Sequence, residues 1–350
     1  MVILGVDAHK RTHTLVAIDD AGRKLGERMV AATTDGHLQA LHWATRWAER
    51  RFAIEDCRHV SRRLEADLLA AGEAVARVPT QLMASARKGG RERGKSDPID
   101  ALAVARAALR EPSLPTAHLD GPARELRLLV DHREDLVAER TRIQNRLRWH
   151  LHELFPEFEI QPRTVKRLHV LDTLERRLAD VEGTVASIAR ELIGRVRELS
   201  LRANGLERQI VRLVRQLAPS LLALAGCGPL SAAKLVGEVA GAGRFRSKAT
   251  FARWKGTAPI PVWSANDGRY RLNRGGNRQV NAALHRIAIT QWRGDGPGQA
   301  YVQRRMTTGD SKTEALRLLR RRISDEVYKR LLTDQTPIER SQPERPALVS

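Results

Sequence analysis

Cysteine is nearly absent from this chain of 350 residues, which contains only Cys57 and Cys227. The two lie far apart and form no Cys-x-x-Cys pair, so the sequence predicts neither a disulfide framework nor a zinc site. It has no run of about 18 uncharged apolar residues and no secretory apolar segment after Met1, so we expect neither a membrane span nor export. These absences favour a protein of the reducing cytoplasm.

Acidic residues are also scarce relative to basic ones. The sequence has 41 Asp and Glu against 61 Lys and Arg, a formal net charge of +20, and residues 201–300 hold 16 basic and 4 acidic residues. A positive field of this kind attracts polyanions, so we expect a nucleic-acid partner and a nucleoid-associated location. An Arg-rich composition or a ribosome-associated role is the alternative, because Arg outnumbers Lys 51 to 10.

The N-terminal part of the sequence alternates the patterns of strands and helices. Apolar runs typical of strands occur at 2–7, 12–19, 25–32, 51–56 and 74–79. Helical patterns follow Asp35, cover 60–72, and begin again at Asp97 after a basic, Gly-rich loop at 85–96. Three strands joined by tight turns, followed by alternating helices and strands, predict a mixed α/β domain over residues 1–115.

The middle of the chain carries long helical patterns. Apolar residues recur every three or four positions over 171–217, which is typical of a coiled-coil seam of about six or seven heptads. An earlier helix over 122–154 is separated from this seam by Pro156 and Pro162, so we expect an antiparallel helical hairpin. The sequence thus predicts a helical coiled-coil domain over 116–220. Its seam is either buried within the hairpin or shared with a second copy of the chain.

The remaining sequence predicts a mainly α-helical domain over 221–332 and a disordered, Pro-rich tail over 333–350. Two short helices flank a Gly-x-Gly turn formed by Gly226 and Gly228, as in helix–hairpin–helix modules, whose backbone N–H groups contact a phosphate. Glycines at a helix junction also occur for packing alone. A loop to about Asn277 and further helices complete the predicted domain.

Four acidic residues stand where the apolar patterns do not require them. Asp97 and Asp100 open a helix, and one interpretation is local: Asp97 caps the helix, with Pro98 next and Asp100 in the first turn. Asp7, however, ends the first predicted strand, and Glu55 or the adjacent Asp56 ends the fourth. Strand ends and a helix entrance can converge on one edge of an α/β sheet, where four carboxylates suit a pair of Mg²⁺ ions, or Mn²⁺.

The segments GVDAHK, IED and KSDPIDA resemble the Asp-Glu-Asp-Asp motifs of the transposases of insertion-sequence family one-ten. The resemblance covers nearly the whole chain and implies a RuvC-like (RNase H-like) fold for the N-terminal domain. Carried over by motif, the catalytic, metal-binding acids are Asp7, Glu55, Asp97 and Asp100. Glu55 is preferred to Asp56 because the family places the acid directly after the strand, and Lys95 is expected to contact nucleic acid.

A second block, over 256–285, resembles the C-terminal block of the same family, in which a serine is regarded as the nucleophile on DNA phosphate. Here that serine is Ser264, in the order Trp263-Ser264-Ala265 where the family typically has Ser-Ser-Gly. A serine hydroxyl needs a base or a metal beside it, which the acidic domain supplies if the two domains meet. A loop serine that only stabilises a turn is the alternative. Phosphate contacts are expected from Arg269, Arg271, Arg274 and Arg278.

The resemblance therefore implies a recombinase that cuts and rejoins DNA at the ends of a mobile element. It also implies a structured guide RNA from the element's flank, with sequence choice left largely to base pairing, and a dimer or tetramer. Two alternatives remain open. A RuvC-like DNA nuclease that uses water would tolerate Ser264→Ala, and a catalytically inactive nucleic-acid-binding protein would tolerate loss of the acids as well.

Overall fold

The computed structural model describes residues 1–55, 58–79, 82, 96–111, 114, 116–117, 121–158, 161, 164–264, 267–271, 273 and 276–340, with the backbone alone for 58–59, 261–264, 267–270 and 336–340. The chain forms two compact units, Met1–Asp120 and Gly121–Ser350. The sequence predicts boundaries after residues 115 and 220. The first lies close to the observed division, whereas the second falls inside the second unit, because helices on both sides of it share one core.

The N-terminal unit is an α/β structure built on a mixed sheet. Its strands are β1 Val2–Ala8, β2 Thr12–Ile18, β3 Lys24–Ala31, β4 Arg50–Glu55 and β5 Val75–Val78. Its helices, among the described residues, are α1 Thr34–Ala44, α2 Arg58–Ala70 and α3 Asp97–Arg110. The sheet order is β3-β2-β1-β4-β5, with β1, β2 and β3 antiparallel and β4 and β5 parallel to β1. The predicted α/β domain and its five strands are confirmed.

The two faces of this sheet carry different helices. Alternation along a strand sends successive side chains to opposite faces. Val6 and Ile54 lie in the apolar cluster that includes residues of α1 and α2, whereas Ile3 and Ala53 lie in the cluster formed with α3. By the same alternation, the acids that end β1 and β4 belong to the face covered by α3.

Gly5 is the point on β1 where α3 approaches most closely. A Cβ atom at this position would lie 2.2 Å from the carbonyl oxygen of Ala101 and 2.5 Å from the backbone nitrogen of Ala105. Non-bonded atoms do not approach to such distances, so only glycine lets α3 reach this depth. Gly5 therefore sets the distance between β1 and the first turn of α3.

We expect Gly5→Ala to destabilise the N-terminal unit by about 1–3 kcal/mol or more, because the backbone of α3 must move away from β1. Thermal and urea unfolding of the variant would measure the loss. Gly26→Ala in β3 is the matched control, since its Cβ would meet the ring of Trp43 at an ordinary 3.4 Å. Equal stability losses in the two variants would contradict this explanation of Gly5.

The second unit begins with an antiparallel helical hairpin of α4 Pro122–Leu154 and α6 Thr184–Leu217, with α5 Leu168–Leu178 between them. Ion pairs and hydrogen bonds tie its two long helices together, including Arg133 to Glu207 at 2.6 Å. The predicted hairpin is confirmed, but the predicted continuous seam is wrong, because the chain leaves the helix between α5 and α6. There Gly183 has a φ of 104°. Most of the apolar positions of the seam are buried against α4 or α5.

The rest of the second unit is mainly helical, as predicted. Its elements are α7 Pro219–Leu222, α8 Pro229–Val239, α9 Lys248–Trp254, β6 Ile260–Ser264, β7 Asp267–Arg271, α10 Arg278–Arg293, α11 Pro297–Thr307 and α12 Lys312–Arg340. Where the sequence predicts a loop to about Asn277, β6 and β7 form a two-stranded antiparallel ribbon. Residues 333–340 continue α12, so the tail does not begin at 333, and 341–350 lie outside the described residues. None of the described helices is long and apolar enough to cross a membrane.

Candidate active site

The end of β1 brings together side chains that the chain supplies from two distant segments. His9 Nε2 lies 3.1 Å from Asp7 Oδ2 and 3.4 Å from Asp97 Oδ1. These three residues form the group among the described residues whose ligand atoms lie close enough to hold a metal ion. Asp7 is 6% exposed, whereas His9 lies at the surface. The predicted pairing of Asp7 with Asp97 is thus seen in the structure, with an imidazole between the two carboxylates.

Asp100 lies one helical turn after Asp97 and is buried. Burial raises the pKa of Asp7; His9 opposes that increase, and the charges of Asp100 and Asp97 add to it. Three acids are therefore close enough to act on one another electrostatically. A cation would relieve their repulsion and the cost of burying the Asp7 carboxylate.

Glu55 occupies the end of β4, the parallel neighbour of β1. Val6 pairs with Ile54, so Asp7 and Glu55 follow at the same level of adjacent strands and, by alternation, on the same face. The fourth predicted acid is thus at the same edge of the sheet. Asp56 lies outside the described residues.

The first turn of α3 explains why Asp97 is available to the site. Ser96 is the N-cap, Asp97 is the first helical residue, and the amide of Asp100 donates to the carbonyl of Ser96 at 3.0 Å. The interpretation of Asp97 as the N-cap is therefore wrong. The carboxylate of Asp97 lies close to His9 instead. The negative charges of Asp97 and Asp100 still complement the positive end of the helix dipole.

His9 is the residue of this site that the sequence prediction left unassigned. It follows Asp7 by two positions, and residues two apart on an extended strand share a face. The backbone N–H of His9 donates to the carbonyl of Thr12 at 3.0 Å, which closes the turn into β2. The spacing of two residues between Asp7 and His9 and the turn into β2 were the sequence signals that could have pointed to His9. Lys10, the next residue, is exposed to solvent.

Ser264, the predicted nucleophile, is the last residue of β6. It pairs with Asp267 at the end of the ribbon, Val262 pairs with Arg269, and Ile260 pairs with Arg271. Directly paired positions and positions two apart lie on one face of a ribbon, so positions 264, 269 and 271 share a face. The ribbon thus places the predicted serine and two of the predicted arginines together by register.

The base of the ribbon is fixed by contacts within the second unit. Gly276 has a φ of 92°, and a Cβ there would lie 2.6 Å from the backbone nitrogen of Gly256. Asn277 caps α10 by accepting from Val280 N at 2.9 Å, and its Nδ2 donates to buried Glu238 at 2.7 Å. These close contacts explain why glycine stands at position 276 and asparagine at position 277.

Lys255, next to this junction, has a fully buried side chain. The Nζ atom of Lys255 lies 3.5 Å from the ring centroid of Phe251 and donates to the backbone carbonyl of Ser324 at 3.4 Å. Burial, with a smaller contribution from the charge of Arg321, lowers the pKa of Lys255 to about 6 against the opposing effect of Asp325. The side chain is therefore mostly neutral at pH 7.

The predicted phosphate-contact residues are distributed over the second unit. Gly226 has a φ of 77° and packs against α10, and Gly228 is the N-cap of α8. An open groove of about 710 Å³ follows this turn and is lined by Ser231, His285, Arg286 and Thr290, among others. Arg271 and Arg278 are exposed, the latter at the start of α10. Lys95 and Arg274 lie outside the described residues.

Comparison with protein families covers both units. Residues 4–156 match a model for DEDD transposases of the IS110 family, described as Transposase, and residues 218–303 match a model described as Transposase IS116/IS110/IS902 family. The chain belongs to the IS110 family of transposases. It is therefore a DNA transposase, and the predicted family is confirmed.

Relatives of this IS110-family transposase align along most of its length. An uncharacterized 44.8 kDa protein of insertion element IS116 from Streptomyces clavuligerus is 29% identical, covering 96% of this chain and 97% of that protein. An uncharacterized 42 kDa protein of insertion element IS900 from Mycobacterium paratuberculosis is 26% identical, covering 91% and 93%. Among solved structures, Thermus thermophilus RuvC in complex with a Holliday junction substrate is 16% identical, covering 33% of this chain and 99% of RuvC, with a TM-score of 0.27.

Proposed function

We propose that this transposase cuts and rejoins the DNA of a mobile element by phosphoryl transfer that needs divalent cations, uses Ser264 as the nucleophile, and is guided by an RNA. One observation carries the proposal. Asp7 and Asp97 meet at one end of a sheet, with His9 between them, in a chain of the transposase family. The N-terminal unit is then an RNase H-like catalytic domain.

The cation belongs with Asp7, Glu55, Asp97 and Asp100. Their oxygens are the hard ligands that Mg²⁺ takes, with Mn²⁺ as the alternative, and the raised pKa of Asp7 supports a site that a cation completes. When bound, divalent cations stabilise the charge on a phosphate in transfer. The protein holds the carboxylates at one edge of the sheet, because Gly5 allows α3 to pack closely on β1 and the first turn of α3 carries Asp97 and Asp100.

Ser264 supplies the group that attacks phosphorus in this proposal. A bond forms between Ser264 Oγ and the phosphorus, one bond from phosphorus to a deoxyribose oxygen breaks, and the hydroxyl proton passes to the leaving oxygen. The phosphoserine ester keeps the energy of the broken bond, so a DNA hydroxyl can reverse the step and rejoin the strand. Register with Arg269 and Arg271 supports this role, since guanidinium groups bind phosphate.

Nucleic acid is the partner that the charge of the second unit supports. Residues 201–300 hold 16 basic and 4 acidic residues, and Arg271, Arg278 and Arg286 are exposed. The guide RNA enters through the family resemblance. Self-association as a dimer or tetramer is supported by apolar side chains left exposed on the hairpin, Ile188 and Leu201 among them.

The test is excision of the element in cells. The gene is supplied with its native flanking DNA, and the junction of any released circle is amplified for wild type, Ser264→Ala and Asp97→Ala. Ser247, which caps α9 through its hydroxyl, provides the matched control Ser247→Ala. We expect junctions in wild type and in the control, and none in the other two variants.

Each other outcome selects a different conclusion. Junctions that persist with Ser264→Ala would exclude the serine nucleophile and favour a nuclease-like enzyme that uses water. Junctions that persist with Asp97→Ala would remove the proposed metal site. Loss of junctions when the flank is deleted and their return when it is supplied as a separate transcript would support the guide RNA.

A further inference from the structure

His9 Nε2 lies beside both acids at the end of β1, where it could share a metal ion with them. Its Nε2 atom contacts Asp7 Oδ2 at 3.1 Å and Asp97 Oδ1 at 3.4 Å, and no other imidazole of the described residues belongs to this group. The ring comes from the turn after β1, whereas Asp97 comes from α3. Three candidate ligand atoms from two segments thus lie within 4.8 Å of one another.

The spacing of these atoms fits coordination of one ion. Ligand atoms about 2.1 Å from a cation are about 3.0 Å apart in octahedral geometry and about 3.4 Å apart in tetrahedral geometry. The two distances from His9 Nε2 fall close to this range, and all three ligand atoms lie within 4.8 Å of one another. A cation that enters between the three atoms therefore needs only small movements of the side chains.

The edge of the His9 ring is also accessible to an ion. The side chain of His9 is 49% exposed, whereas that of Asp7 is 8% exposed. The backbone of His9 is held by its bond to the carbonyl of Thr12, so the position of the ring is restricted while its edge stays accessible. A half-exposed imidazole beside two carboxylates is a donor set of one nitrogen and two oxygens.

We infer that His9 is a nitrogen ligand of a divalent cation held with Asp7 and Asp97, and that it makes this position prefer Mn²⁺ to Mg²⁺. Mg²⁺ takes oxygen ligands and keeps its waters, whereas the affinity of imidazole is greater for transition metals. The inference rests on the proposed metal dependence and deepens it. It adds a residue that the four acids do not include and a consequence for the choice of metal.

The test is direct measurement of metal binding by the full-length protein without nucleic acid. Mn²⁺ affinity is measured by electron paramagnetic resonance of the free ion, and Mg²⁺ affinity by competition. Pulsed measurements of the bound Mn²⁺ detect coupling to a nitrogen nucleus. The variants are His9→Ala and Asp7→Asn, with His42→Ala as the control because His42 is an exposed histidine on α1 of the same unit.

We expect His9→Ala to remove the nitrogen coupling and to weaken Mn²⁺ binding by about tenfold or more, with a smaller change for Mg²⁺. His42→Ala should behave as wild type, and Asp7→Asn should lose both metals. If the wild type shows no specific site, or if Asp7→Asn binds both metals as tightly as the wild type does, the proposed metal centre itself is wrong. If Asp7→Asn loses Mn²⁺ while His9→Ala keeps the affinity and the coupling, only the role of His9 is wrong.

Discussion

Asparagine in place of Asp7 should lower DNA cleavage by about a thousandfold or more, since loss of a metal-bound carboxylate removes several kcal/mol of transition-state stabilisation. The same change should raise the melting temperature of the metal-free protein. Burial, the largest influence, raises the pKa of Asp7; His9 opposes this increase, and the charges of Asp100 and Asp97 add to it. The ionised carboxylate is therefore less favourable in the folded protein than in the unfolded chain at pH 7, and asparagine removes that cost.

The sign of this stability change depends on pH and on metal. A carboxyl whose pKa is raised on folding costs stability above its unfolded value of 3.8, and the cost disappears at lower pH, where both states are protonated. The gain from Asp7→Asn should therefore vanish in acid. Added Mn²⁺ or Mg²⁺ should stabilise the wild type and not the variant.

Asp19→Asn is the control for this prediction. Asp19 lies in the turn between β2 and β3, where backbone and side-chain hydrogen bonds from Arg23 lower the pKa of its carboxyl. The same substitution there should leave cleavage unchanged and should not raise the melting temperature. A fall in melting temperature with Asp7→Asn, together with retained cleavage, would mean that Asp7 has a structural role.

Lys255→Met should stabilise the second unit by about 3 kcal/mol at pH 7. The pKa of Lys255 is about 6 in the folded protein against 10.5 as its ordinary value, and each unit of that difference is worth about 1.4 kcal/mol. Methionine has a similar length and no charge, so it fills the same space beside Phe251. The expected gain is smaller than the full difference because the bond to the carbonyl of Ser324 is lost.

The stability gained by Lys255→Met should depend on pH. Between pH 6 and 10.5 the unfolded chain holds the proton on Lys255 and the folded protein does not, so the stability of the wild type rises with pH. The advantage of Lys255→Met should therefore shrink as pH rises and vanish near 10.5. Calorimetric melting at several pH values would measure it.

Lys248→Met is the matched control, because Lys248 is exposed at the start of the same helix, α9. It should change stability little and show no such trend with pH. A Lys255→Met advantage that stays constant from pH 7 to 10 would show that the wild-type side chain keeps its proton when buried, contrary to the lowered pKa.

The sequence by itself determined the strands of the N-terminal unit and most helices of both units, whereas the β6–β7 ribbon was predicted as a loop. Apolar residues at every second position share one face only in a strand, and apolar residues spaced three and four apart share one face only in a helix. β1 to β5 and α4 were therefore predictable within one or two residues. The family motifs also predicted Asp7 and Asp97, which the structure brings to one end of the sheet, and Ser264, whose role stays a prediction. These features depend on neighbours in the chain, which a sequence displays directly.

Tertiary structure alone decided the features that depend on distant residues. The depth of α3 follows from the absence of a Cβ at Gly5, and this depth places Asp97 beside His9. The break at Gly183 turns one predicted seam into two helices that pack on each other, although the apolar spacing continues through it. Lys255 reads as a solvated charge in sequence, and only the packing of α9 against α12 buries it. Contacts between segments far apart in the chain set the energies of these groups, and local patterns carry no record of such contacts.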